Sequence, residues 1–174
     1  MMEEAVSQTA EAERAGLMSY LNDQRNHAID ILVGLDEDAL GRPVLPSGWS
    51  CLGMLRHLTL DVERFWFRAV VAGERAAIDD LAATADAWCV PPDMPSEAIF
   101  ASYQREIELA NAVIAATSLD APPVWWPPEL FGDWRLSSLR EIILHVMTET
   151  AGHAGHLDAA RELIDGRQWL VLTG

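Results

Sequence analysis

Apolar residues recur along this chain at helical rather than alternating spacing, and the Pro and Gly clusters fall between the periodic stretches. Four helices are expected. The first runs from roughly Ala10 to Leu35, with Leu17, Leu21, Ala28 and Leu32 on one face and Asn22, Asp23 and Asp30 on others, and it stops at Gly34 or soon after. The connection GRPVLPSG leads to Ser50, a good N-cap, from which a second helix reaches about Ala72 before Gly73. This helix is apolar on most sides. The acidic, Ala-rich stretch from Glu74 to Ala87 is expected to hold a weak turn or two, and Val90 to Pro95 is broken by proline. Ser96 caps a third helix ending near Ala116, with Phe100, Tyr103, Ile107, Ala110 and Ile114 inward. Leu119 to Leu136 reads as a long loop carrying four prolines and three tryptophans.

The fourth helix has the clearest signals. Ser138 and Glu141 form a capping-box pattern, and the stretch to Asp165 stops at Gly166. Winding it at about 100° per residue from Glu149 places Ile142, Ala160, Val146, Ile164 and Leu163 within about 60° of that carboxylate, and His145, His153 and His156 within about 40°. Arg140, Asp158 and Asp165 fall on the opposite side. Glu149 is therefore expected at the centre of an apolar stripe. A charge buried there without a partner costs several kcal/mol unless it is protonated, ion-paired or bound to a metal.

The periodicity predicts an all-α fold, an up-down-type four-helix bundle with long connections after the second and third helices. With 174 residues, half of them apolar, the chain fits one domain spanning residues 1–174. No apolar run approaches a membrane span, and Met1 to Arg14 is acidic and unlike a signal peptide, so a cytoplasmic protein is expected. A net charge of −15 without a basic run argues against nucleic acid as a partner. The two cysteines, Cys51 and Cys89, match no disulfide framework or Cys-based zinc spacing and read as reduced thiols. A homodimer would cover part of the apolar second helix.

In such a bundle, sites form from side chains facing one another across the core. His57 lies in a polar strip with Asp61, Arg64 and Arg68 at the edge of an apolar arc of Leu55, Leu58, Val62, Phe65 and Ala69. If the second and fourth helices are neighbours, His57, Glu149 and His153 converge. Two imidazoles and a carboxylate leave positions open on Zn(II), Fe(II) or Ni(II), as catalytic sites do, and Glu149 and His153 have the i, i+4 spacing that two ligands on one helix need. The competing reading pairs Glu149 with Arg64 or Arg68 and makes His153 a satisfied core histidine. Periodicity leaves both open.

The segments GWSCLGMLRHLTLDVERFWFRAVVAGE and LHVMTETAGHAGHLDAARELIDG resemble the DinB-like four-helix superfamily, and most closely its branch around the mycothiol-dependent maleylpyruvate isomerase and mycothiol S-transferases. The similarity extends from about Leu17 to Trp169, and Glu149–His156 is its most specific run. The resemblance implies a divalent metal, zinc foremost with nickel or iron as alternatives, held by His57, Glu149 and His153. It also implies a low-molecular-weight thiol, mycothiol or a similar molecule, as co-substrate attacking a small electrophile. His145 or His156 would then orient a ligand or carry a proton, the alternative being simple burial with a backbone hydrogen bond; Arg64 and Arg68 would bind an anionic thiol or substrate carboxylate, the alternative being surface or salt-bridge residues partnered by Asp61; and the tryptophans of residues 119–136 would cover the pocket or the bundle ends. The isomerases usually carry a further C-terminal domain, so a transferase is expected in preference to an isomerase. A metal-binding helical module without catalysis, or a metal-assisted hydrolase, are the alternatives. Cys51 as nucleophile is the least favoured role.

Overall fold

A computed structural model describes residues 2–83 and 86–169. Within them the chain is helical, with no strand. Helix α1 spans Met2–Asp30 and ends in a turn through Gly34, whose φ of 90° favours glycine. Helix α2, Glu37–Gly41, is an addition to the expected elements, capped by Asp36, whose carboxylate accepts from Ala39 N. Helix α3, Cys51–His57, starts where Ser50 accepts from Gly53 N, as its cap signal predicts. Helix α4, Arg75–Ala83, fills the segment expected to hold only weak turns. Helix α5 is Ser96–Ala116, although Pro95 occupies its N-cap position, and the Ser96 hydroxyl is a partner of Glu37 instead. A short α6, Pro128–Phe131, interrupts the Trp-rich loop. Helix α7, Leu139–Asp165, is capped by Ser138 and closed by Gly166 at φ 80°.

Beyond His57 the second long helix widens. Residues Leu58–Val71 form a π-helical stretch, seen for example in the bond from Ala72 N to Phe67 O at 3.0 Å. This stretch is the centre of the molecule, packed on α5, α4 and α7. Leu58, Val62, Phe67, Ala69 and Val70 are fully buried, each large side chain contributing roughly 1.5–3 kcal/mol. The all-round apolarity of the second helix is thus covered within the chain itself, and a dimer is not needed to hide it.

The long segments do not alternate in direction as a simple up-down bundle would. Arg140 pairs with Glu13 and Asp158 with His27, so α1 and α7 run the same way. His153 faces His57 and His145 faces Trp66, so α3 and its π extension run against α7. The extension and α5 are parallel, because Arg56 and Thr59 share a groove with Ala98 and Ile99 while Arg64 and Arg68 reach Glu106. The connection from residue 72 to 95 is long enough to carry the chain back to the same end before α5 begins.

A polar knot crosses the core. Arg25, 1% exposed, donates to both oxygens of Glu63, 0% exposed, at 2.7 and 2.6 Å, and to Asn22 and Asn111. It ties α1, the π stretch and α5 together through a bidentate pair. At the far end, Arg161 donates to the Ile31 and Val33 carbonyls, satisfying acceptors past the end of α1.

Candidate metal centre

His57 closes α3 at the start of the π stretch, and Glu149 and His153 lie one turn apart on α7. One ligating atom from each of the three can be chosen so that all lie within 4.8 Å of one another. The His57 and His153 Nε2 atoms are 3.2 Å apart. His57 Nε2 is 4.0 Å from a Glu149 oxygen. Two nitrogens each about 2.05 Å from one ion, at that separation, subtend an angle of about 100°, which suits a tetrahedral or octahedral cation. The carboxylate oxygen stands wider, beyond the roughly 3.4 Å of tetrahedral neighbours.

The surroundings orient one of the two imidazoles, His57, so that it could ligate through Nε2. His57 Nδ1 meets Asp61 Oδ2 at 2.9 Å. The carboxylate can only accept, so in the neutral ring the proton sits on Nδ1 and Nε2 presents its lone pair to the cluster. His153 Nδ1 is buried without a hydrogen-bond partner. Burial, then the neighbouring His57, holds the His153 pKa below its ordinary value, which favours the neutral form that can ligate. Two nitrogens and a carboxylate oxygen make a donor set that fits Zn(II), Ni(II) or Fe(II).

Glu149 is not at the bottom of an apolar stripe. Its side chain is 28% exposed, and His145 Nε2 lies 3.4 Å from its second oxygen. The stripe itself is real, with Ile142, Val146 and Ala160 fully buried, but Leu163 is 61% exposed. The ion-pair alternative is excluded in its stated form. Arg64 and Arg68 turn away to α5, where both bind Glu106, and they also reach Asp80 and Glu74. The cause is the wide helix: at 100° per residue Arg64 and Arg68 fall about 20° from His57, but at about 4.4 residues per turn they fall about 145° and 180° away. Asp61 stays within about 40° of His57 in either geometry. The same rotation brings Trp66, which at about 100° per residue would stand opposite His57, round to the cluster.

Aromatic rings line both flanks. Trp88, from the loop after α4, stacks on His57 at 4.1 Å and 16°. Its backbone is held by Arg56, which donates to the carbonyls of Asp86, Ala87 and Cys89, and by Gly53, where any Cβ would lie 2.5 Å from the Trp88 oxygen. On the other flank Trp66 and Trp134 contact His145 at 4.6 and 5.5 Å. Phe131 stacks on Trp66 at 5.5 Å, and Trp126 joins both Trp66 and Trp134, while Trp125 meets Phe65. The Trp-rich loop therefore sits beside His145. Neither Trp66 nor Trp88 was singled out by the sequence, and only Gly53, a glycine inside an apolar helix, signals the close approach. His156 is exposed, 5.9 Å from the His153 ring and 6.3 Å from Trp49. Cys51 is buried, with its thiol pushed up to about 11 by desolvation, and Cys89 is exposed beside Asp86.

No helix among the described residues is long and apolar enough to cross a membrane. No curated protein and no solved structure matches the chain. A family described as mycothiol S-transferase does match, over residues 16–166, a span that holds all three converging side chains and the aromatic rings around them. The chain belongs to the mycothiol S-transferase family.

Proposed function

We propose that this protein is a metal-dependent thiol S-transferase that joins a low-molecular-weight thiol, mycothiol or a close analogue, to a small electrophile. The observation that carries this reading is the convergence of His57, Glu149 and His153 within 4.8 Å in a chain of this family. We read the four long segments as one four-helix domain and the protein as cytoplasmic, with zinc as the metal and nickel or iron as alternatives.

A divalent cation held there would lower the pKa of a thiol sulfur and keep it as thiolate at neutral pH. The remaining roles belong to the chain. Asp61 fixes the His57 ring and its tautomer. Trp88 covers one face of that ring and keeps water from it. His145, one third exposed and against Glu149, would take the thiol proton toward solvent. The sulfur then bonds to the electrophilic atom, whose leaving group departs with its electron pair. Arg64 and Arg68, saturated by carboxylates, are less suited to anchoring an anionic substrate than their sequence positions imply.

The test begins with elemental analysis of protein purified without chelators, followed by thiol consumption against a panel of electrophiles. Near one equivalent of a transition metal per chain, retained in wild type and lost in Glu149→Gln, with thiol-dependent conjugation, is expected. Unchanged metal content in Glu149→Gln refutes the ligand assignment. Ester turnover without thiol would replace transfer by hydrolysis.

A further inference from the structure

Beside the cluster lies an open pocket of about 300 Å³ lined by Asp61, Phe65, Leu81, Leu130 and Phe131. Four of its five walls are apolar, and Leu130 is 63% exposed at its lip. The single polar wall, Asp61, is the carboxylate that holds His57. Phe131 continues into the Trp66 and Trp134 rings that touch His145. The pocket thus adjoins the metal cluster through the His57–Asp61 pair, and on its other side the Phe131, Trp66 and Trp134 rings stand between it and His145. We infer that this pocket receives the electrophile, and that it selects small uncharged molecules presenting a flat or aliphatic apolar group while rejecting anions. This inference rests on the transferase reading and adds the substrate class to it.

Charge argues for the exclusion as strongly as shape argues for the fit. The adjoining groove, which shares Asp61 and Leu81, is walled by Asp61, Asp80 and Asp86 with one cation, Arg64. That guanidinium is already bound to Glu106 at 2.7 Å and Asp80 at 3.3 Å. The chain has no lysine to supply another positive group. Arg135, the remaining arginine near the aromatic rings, lies over Trp126 at 5.6 Å, and neither residue lines the pocket. A carboxylate entering here would meet Asp61 with no free partner, whereas an uncharged ring would bury its faces against Phe65, Leu81 and Phe131.

The test needs no metal or thiol in its first arm. Dinitrotoluene and dinitrobenzoate have nearly the same shape and differ in charge, and nitroarene binding is read by quenching of the tryptophan fluorescence. Dinitrotoluene is expected to bind at least about fivefold more tightly, and Leu130→Glu to weaken it at least about fivefold. Leu130→Arg, on the same exposed position, is expected to reverse the preference; circular dichroism confirms that both variants fold. Equal binding of the two probes, or indifference to either Leu130 variant, overturns the inference. The second arm supplies mycothiol and metal and compares chlorodinitrobenzene with chlorodinitrobenzoate. There a sulfur–carbon bond forms, the carbon–chlorine bond breaks, chloride leaves with its pair and the thiol proton passes to solvent. Faster turnover of the uncharged arene supports the pocket assignment, and equal turnover overturns it. Selective binding in the first arm with no conjugation of either arene, or of any other electrophile in the panel, would refute thiol transfer and leave the pocket's selectivity standing.

Discussion

Replacing Gly53 by alanine adds one methyl group inside α3, a helix whose interior normally gains from that change. Here the new Cβ would lie 2.5 Å from the Trp88 carbonyl oxygen and 3.3 Å from Ser50 Oγ. Reaching an ordinary contact near 3.4 Å requires the Trp88 carbonyl to retreat by about 0.9 Å. It cannot retreat freely. The Arg56 guanidinium holds the carbonyls on both sides, Ala87 at 2.9 Å and Cys89 at 3.0 Å, and a shift of that size stretches at least one of these bonds past its useful range. A lost hydrogen bond to a charged group costs about 1.5–3 kcal/mol, and the gain from replacing glycine in a helix returns roughly 0.5–1 kcal/mol. The expected net loss is about 1–2 kcal/mol, or a melting temperature lower by roughly 2–8 °C in a domain of this size. Gly152→Ala is the matched control, since nothing lies within 4 Å of a Cβ built there on exposed α7. It is expected to raise stability by about 0.5–1 kcal/mol. Thermal melts of both variants, with zinc affinity measured by chelator competition, decide the matter. If Gly53→Ala melts at or above wild type and binds zinc unchanged, Trp88 is not wedged over His57 as described.

Three other perturbations have definite outcomes. Asp61→Asn removes the acceptor that fixes the His57 ring and is expected to weaken metal binding about 10–100-fold by competition titration, with the fold retained. Native protein treated with an aromatic disulfide reagent at pH 8 should release one equivalent from exposed Cys89, slowed by Asp86, which raises its thiol pKa, while Cys51, with a pKa of about 11, reacts only after denaturation; two equivalents released from the native protein would contradict its burial. Arg25→Met and Glu63→Leu are each expected to cost about 3–5 kcal/mol in urea unfolding, because each strands a buried charge, and the double variant to recover most of that loss.

The helix ends were legible because they rest on local chemistry. Ser50, Ser138 and Gly166 act where the sequence places them, although Glu141 accepts from Ser137 rather than closing the expected box on Ser138. The three converging side chains were legible because α7 keeps regular α geometry, and one strong helix fixes two of them. What could not be read was the widening after His57. Nothing in the periodicity of Leu58–Val71 announces i→i+5 bonding, and the error it introduces accumulates along the helix. Asp61, four residues on, stayed in place, whereas Arg64 and Arg68 changed sides. Glu63, on the same stretch, is buried in the core against Arg25. Trp88 escaped for a different reason. Its position depends on loop backbone held by Arg56, a tertiary contact without a sequence period.

The Arg25–Glu63 pair also constrains how this sequence can drift. Two apolar residues could fill the same space at little cost, but every single-nucleotide route to them passes through a chain with one uncompensated charge in its centre. A protein with about ten kcal/mol of stability loses about a third to a half of it at that intermediate. The two positions, 38 residues apart, should therefore change together or not at all, and the pair persists through the depth of the valley around it rather than through any advantage over an apolar core.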